Sequence, residues 1–455
     1  MARERKSVLT AVDARDMAYQ LTRRVHAGGG YLGLLIRYSL DNGKLDARDR
    51  ALVAELAYGV QRHRNKVDHV IAAFSNRPLK ELNPEVLDIL RLGIFQLLEM
   101  HVPPHAAVNE SVELAKRHLG KGAGYVNAVM RCAAEGLEQV CWPGPDDLPA
   151  HLEVVHSHPR WLAEYLIKRF GAEEALQLCQ ANNLVPTLTL RVNPLRASRE
   201  QLLAEIASRG WRGKPSGLLP ESLVEVAIPY PTLMEWLEKG FCVVQDESSM
   251  VVSRVVDPRE GEVVVDACAA PGGKATHLAL LGGERCRVIA VDRNPKRLKA
   301  MRNVVDRLGL KNVEILAGDS AHLSEVVKSP ADAVLLDAPC SGLGTLRRNP
   351  DLKWKRFPGD IANLAAVQSR LIRGCADAVR PGGVLVYSVC TFTLEETVGV
   401  VEGFLRERKD FAPESPESLL PERLAADLSP RGYLQILPHR HDMEGMFIAR
   451  LRRKG

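Results

Sequence analysis

Two cysteines stand where chemistry is expected. In "LLDAPCSGLG", residues 335–344, Cys340 follows an apolar run that ends in Asp337; in "LVYSVCTF", Cys390 follows a second apolar run. A thiolate is a strong nucleophile, and a covalent step can split one difficult reaction into two easier ones. A third stretch, "DACAAPGGKATHLA", leaves an apolar strand at Asp266 and enters a helix near Lys274. Gly272 and Gly273 there let the backbone approach a ligand where a side chain would block it. In an open sheet of parallel strands such loops lie at the carboxyl edge, where ligands bind. Asp292, ending "IAVD", can bond both hydroxyls of a ribose, and Asp319, in "AGDS", is placed to meet an adenine amino group. The loop lacks G-x-G-x-x-G and the G-K-[ST] ending, so a nucleoside cofactor without a pyrophosphate is expected.

The elements that must position these residues follow from hydrophobic pattern. "EVVVDA", "RVIAVD", "VEILAGD", "DAVLLDA" and "GVLVYSV" alternate with helical stretches from about residue 238 to 455. That alternation predicts a buried parallel sheet with helices on both faces, a Rossmann-like domain. Residues 1–140 show apolar residues at three- and four-residue spacing and no strand pattern, which predicts a helical bundle. Asn83–Pro84 reads as the start of one of its helices. "CWPGPDDLP", 141–149, reads as a linker. Residues 150–237 read as a small α+β region, with helices at 160–182 and 198–209 around the β-rich "PTLTLRVNPL".

Bulk properties narrow the function. The 455 residues suggest roughly three domains. No apolar run reaches the ~18–20 residues of a membrane span, and the charged N-terminus does not read as a signal peptide. Nine cysteines without CxxC pairs indicate neither a zinc site nor a disulfide framework, so a reducing cytoplasm is expected. His439 and His441 lack a third ligand, and no metal is expected. A net charge of +5 permits a nucleic-acid partner without demanding one.

"CAAPGGK", "DAPCSG" and "YSVCT" together resemble the motifs of the Sun/RsmB-type RNA cytosine-5 methyltransferases, over residues 150–450, and 1–140 resembles their NusB-like RNA-binding domain. The resemblance implies S-adenosylmethionine as cofactor, with S-adenosylhomocysteine as product. It also implies 16S rRNA, or a small-subunit assembly intermediate, as partner, methylated at position 967 in customary rRNA numbering. By the same resemblance Cys268, Ala269, Ala270, Pro271, Gly272, Gly273, Lys274, Asp292, Asp319 and Asp337 contact the cofactor. Cys390 is then the nucleophile that adds to C6 of cytosine and turns C5 into an enamine carbon, and Cys340 assists release. DNA cytosine-5 enzymes would instead nominate Cys340, the cysteine that follows a proline. Asp337 is expected to meet the N3/N4 edge of the base. Val389 stands where related sequences have threonine.

Beyond Cys340, "TLRRNPDLKWKRF" sets Arg347, Arg348, Lys353, Lys355 and Arg356 around Trp354. Basic groups can meet phosphates and an exposed aromatic can stack on a splayed base, so RNA contact is expected there. A monomer is expected. The rival readings are a non-catalytic RNA-binding protein, a cytosine-5 enzyme of another RNA, and a DNA methyltransferase; the last would need a long recognition insert that 345–380 leaves no room for.

Overall fold

A computed structural model describes residue 11, residues 13–42 and residues 45–455. The charged N-terminal stretch, read above as no signal peptide, lies mostly outside them. Two compact units emerge: residues up to Leu184 together with Leu346–Lys355, and Val185–Thr345 together with Arg356–Gly455.

The first unit is helical. Helices Ala14–His26, Ala47–Arg62, Arg64–Phe74, Pro84–Leu98, Pro104–Leu119 and Ala123–Gly136 bury one face each around Leu56, Val60, Ile71, Ile89, Leu90, Ile94 and Val126. Asn83 caps the fourth of these through Glu85 N, with Pro84 in the first turn. The stretch 141–149 is packed rather than a free linker. Trp142 lies 5.3 Å from the His69 ring, Pro143 O meets His151 Nδ1 at 2.9 Å, and Asp147 caps Leu148–Val154. Helices Arg160–Phe170 and Ala172–Asn182, which break at Gly171 (φ 85°), also belong to this unit. The division therefore falls at Leu184, inside the region read as one small α+β piece.

The second unit carries two sheets. The smaller one consists of β1 (Leu188–Val192), β2 (Arg212–Pro215), β3 (Ser222–Ala227) and β4 (Cys242–Val244) in the order β2-β3-β1-β4. The larger contains β5 (Val263–Asp266), β6 (Arg287–Asp292), β7 (Val313–Ala317), β8 (Ala331–Asp337), β9 (Val379–Val389), β10 (Phe411–Pro413), β11 (Leu434–Ile436) and β12 (Met446–Arg453). Its order is β10-β12-β9-β8-β5-β6-β7, with β11 beside β12. The pairs from β7 to β9 are parallel, and β12 runs antiparallel to β9.

Alternation decides which face each residue fills. Val264, Val288, Ala290, Leu335 and Val386 pack on one side of the sheet; Val265, Ile289, Val334, Leu336, Leu385 and Tyr387 pack on the other. Both faces are covered, which is why these strands read as near-continuous apolar runs. No helix among the described residues is long and apolar enough to cross a membrane.

Candidate active site

The parallel register brings the two cysteines together. Asp337 on β8 stands level with Ser388 on β9, so Cys340 and Cys390 leave the same edge of the sheet. Their sulfurs are 3.3 Å apart. The contact with Cys390, burial, and the charges of Cys390, Glu396 and Asp337 push the Cys340 thiol well up. The raised pKa favours the protonated form of Cys340, and either sulfur can donate across the contact. Cys268, the third nearby thiol, is pushed up to about 12 by burial and by Asp266, Asp337 and Asp292, which leaves it a poor nucleophile.

Asp337 is locked from two sides. Lys274 Nζ donates to Oδ2 at 2.7 Å, and Ser388 Oγ donates to Oδ1 at 2.8 Å. Burial lowers the Lys274 pKa, but the Asp337 charge and hydrogen bond and the Cys390 charge outweigh it, so the ammonium persists. Val389 is fully buried against the same core as Tyr387, so the hydroxyl that reaches Asp337 comes from its neighbour Ser388. Beneath them burial and the Asp337 charge push Asp266 up to about 7.

A cavity of about 470 Å³ opens at this edge, lined by Cys268, Ala270, Pro271, Asp292, Asp319, Asp337, Cys340 and Cys390. Ala269 is buried nearby, Gly272 and Gly273 start the helix Gly273–Leu281, and Lys274 enters through its bond to Asp337. Gly272 has φ 105°, and a Cβ there would sit 2.8 Å from Met301, so only glycine fits. Asp292 accepts from Asn294 N at 2.8 Å and from Ala270 N at 3.3 Å, and pairs with Arg297 at 3.3 Å. Asp319 is exposed at the cavity wall and accepts from Ala321 N. A cavity with acids from three strand ends fits a nucleoside ligand that also carries a sulfonium and an ammonium.

Two supports of this site, Glu396 and Arg191, lie outside the motifs that singled it out. Glu396, fully buried, accepts from Ser341 N at 2.8 Å, Gln368 Nε2 at 3.0 Å and Thr393 Oγ1 at 2.8 Å, with Thr391 Oγ1 at 3.4 Å. Ser341 follows Cys340 and Thr391 follows Cys390, and their hydroxyls meet at 2.9 Å. Arg191 on β1 is buried and donates to Gly273 O, Gln245 Oε1 and Thr276 Oγ1, which ties the small sheet to the cofactor loop. Lys274, expected from the resemblance to contact the cofactor, also holds Asp337.

The basic stretch 347–356 is placed differently from the RNA contact expected of it. Leu346–Lys355 belongs to the helical unit, and Lys353 is fully buried there. Its Nζ donates to Arg62 O and Ser157 O at 3.1 Å and to Asn183 Oδ1 at 2.6 Å, while burial pushes its pKa down to about 7. Trp354 Nε1 donates to Gln61 O, and Arg62 donates to Arg347 O, which is also buried. Lys355 pairs with Asp351 at 3.0 Å and lies over the Tyr31 ring; Arg348 is half-buried; Arg356, in the other unit, donates to Ser341 O. Lys353 and Trp354 thus satisfy the last carbonyls of Ala47–Arg62 by hydrogen bonding. Lys353→Met leaves three oxygens without that donor and is expected to destabilise the helical unit by about 2–4 kcal/mol. Thermal melts check this, and the salt dependence of RNA binding should not change.

Among the described residues no three metal-ligating side chains gather, and His441 pairs with Asp427 at 3.0 Å.

The parallel sheet with its antiparallel β12, together with the acid-lined cavity, defines a Rossmann-like methyltransferase. Residues 253–452 match the family described as 16S rRNA methyltransferase RsmB/F; 12–135 match the NusB family, and 158–227 the RsmF/B-like ferredoxin-like domain. A Bacillus subtilis protein named "Probable ribosomal RNA small subunit methyltransferase B" is 36% identical, covering 97% of this chain and 99% of its own. The "Ribosomal RNA small subunit methyltransferase B" of Escherichia fergusonii is 33% identical over 97% and 98%. The crystal structure of PH0851 aligns with TM-score 0.80 at 26% identity, over 96% of this chain and 98% of that one. NSun6 from Pyrococcus horikoshii, solved with SFG, aligns with TM-score 0.59 at 28% identity over 66% and 100%. The chain belongs to the RsmB/F family of S-adenosylmethionine-dependent small-subunit rRNA methyltransferases.

Proposed function

We propose that this protein methylates C5 of a cytosine in 16S rRNA through a covalent bond between Cys390 and C6. The observation that carries the reading is the pair of thiols 3.3 Å apart beside Asp337. Adding a thiolate to C6 breaks the ring's conjugation and makes C5 nucleophilic. Bound S-adenosylmethionine supplies a methyl group on a positive sulfur. Cys268–Lys274, Asp292 and Asp319 would hold it, with Asp292 on the ribose, Asp319 at the adenine, and the SFG-bound NSun6 as a structural parallel.

Asp337, fixed by Lys274 and Ser388, would receive the N3/N4 edge of the base and favour a proton at N3, which makes C6 more electrophilic. After transfer a base, which water entering the cavity can supply, takes the C5 proton, the C5=C6 bond re-forms and the C6–S bond breaks with the electron pair going to Cys390. The Cys340 thiol, 3.3 Å from that sulfur, can hydrogen-bond the departing thiolate. A duplex cytosine cannot reach the cavity, so the target is single-stranded, looped or flipped out. The names of the relatives support small-subunit rRNA as the substrate. The reading adds position 967, from the resemblance to the RsmB branch, and a cytoplasmic monomer acting on an assembly intermediate.

The test is to incubate the protein with methyl-labelled S-adenosylmethionine and unmodified 16S rRNA, then digest to nucleosides and map the label. Label in 5-methylcytidine at a single position is expected. Label on another atom, or none, removes the reading; none together with retained RNA binding would favour a non-catalytic RNA-binding protein.

A further inference from the structure

If 347–353 is packed inside the helical unit, the RNA strand needs another cationic path to the cavity. The helix Pro295–Leu308 begins at the cavity lip, where Arg293, Asn294 and Arg297 line the opening. It buries Leu298, Met301, Val305 and Leu308 and leaves Lys296, Lys299 and Arg302 exposed, at three-residue spacing from Arg293. At 1.5 Å rise per residue, the three helical cations cover roughly 9 Å leading away from the opening. The helix carries one acid, Asp306, in its last turn.

A run of exposed charge is commonly a solvated face laced with ion pairs. Other surface cations of this unit follow that pattern: Arg373 with Glu407 and Arg380 with Asp332, each at 2.6 Å, Arg431 with Glu402 at 2.8 Å, and Lys239 with Glu235 at 2.6 Å. Among the described residues, the side chains of Arg293, Lys296, Lys299 and Arg302 show no ion pair and no hydrogen bond. Arg370, from the helix Pro358–Asp377, lines the same cavity, exposed and equally without an acid. Cations without an ion pair among the described residues are thus gathered at and beside an opening that leads to both thiols.

We propose that this face carries the phosphate backbone of single-stranded RNA, with Arg293 and Arg370 at the mouth and Lys296, Lys299 and Arg302 along the approach. The proposal rests on the reading of the cavity as an RNA-modifying site and adds where the strand lies. Partners of other chemistry are outcomes of the test.

The test uses the full-length chain with Lys296, Lys299 and Arg302 all changed to alanine, none of which lines the cavity. A second variant, Lys239→Ala with Arg373→Ala, removes ion-paired cations elsewhere. Binding of a cytosine-containing single-stranded RNA oligonucleotide is measured across a salt series, beside cofactor binding. Each phosphate left without its cation should flatten the slope of log affinity against log salt by about 0.7, or about two units for the triple variant. At about 0.1 M salt that is roughly five-fold per phosphate and on the order of 100-fold in all. Cofactor affinity should be unchanged, and the paired-cation variant should keep the parent slope. An unchanged slope in the triple variant, an equal loss in the paired-cation variant, or a loss seen only with assembled ribonucleoprotein and not with RNA overturns the proposal. A methyl group found on an atom other than C5, with the slopes as expected, would remove the chemical reading and leave this surface standing.

Discussion

Cys390→Ala should bind cofactor normally and lose methyl transfer by at least about 10³-fold, because the bond to C6 has no other thiolate to make it. Cys340→Ala should behave differently although it empties the same pocket. Its Cys390 can still add to the ring, and the methyl group can still be transferred, but the departing sulfur has lost the S–H that sits 3.3 Å away. The covalent complex should then accumulate as a slower, RNase-sensitive band on a denaturing gel, in the presence of S-adenosylmethionine. The double variant should show no such band. A band from Cys390→Ala and none from Cys340→Ala would exchange the two roles. Retained activity in both would end the covalent mechanism. The contact with Cys390, burial and the nearby acids push the Cys340 thiol up, in keeping with a release role, and the two variants decide which thiol attacks.

The large sheet and the cysteine pair were legible because they follow from short-range pattern. Apolar runs ending in Asp266, Asp292 and Asp337 announce strands buried on both faces, and parallel register then places whatever follows them at one edge. The loop glycines were legible for a similar local reason, since Gly272 needs a backbone angle that side chains resist. Lys353 shows where this reasoning stops. A lysine in "NPDLKWKRF" looks solvent-bound, and its burial depends on three oxygens from residues 62, 157 and 183 that no local pattern reveals. Apolar Leu352 and half-buried Trp354 beside it were the available hint that the stretch packs. The unit boundary at Leu184 was hidden likewise, because proline and glycine in 141–149 signal a turn but not whether the turn is docked.

Glu396 was hidden in the same way, and changing it should have the second largest effect. In "TLEET" it reads as one of two surface acids before a helix, yet it is fully buried and joins the loops that follow the two cysteines. Its Oε1 accepts from the backbone next to Cys340, and its Oε2 accepts from Thr393 and lies 3.4 Å from Thr391, next to Cys390. Glu396→Ala removes an acceptor shared by both loops and leaves Ser341 N–H and Gln368 without it. A displacement near 1 Å at reacting groups can cost about 10²-fold, so kcat should fall by about that factor while cofactor affinity stays close to the parent value. Glu396→Gln keeps an oxygen for Ser341 N–H, and the threonine hydroxyls can turn to accept from its amide, so most of the activity should return. A readout independent of catalysis is the rate at which a mild thiol oxidant such as diamide links Cys340 to Cys390, because that rate follows the sulfur–sulfur distance. It should be slow in Glu396→Ala and near the parent rate in Glu396→Gln. Equal linking rates in all three proteins, or a loss of activity in Glu396→Gln as large as in Glu396→Ala, would show that the carboxylate acts through its charge or the general stability of the fold, and not by holding the two thiols together.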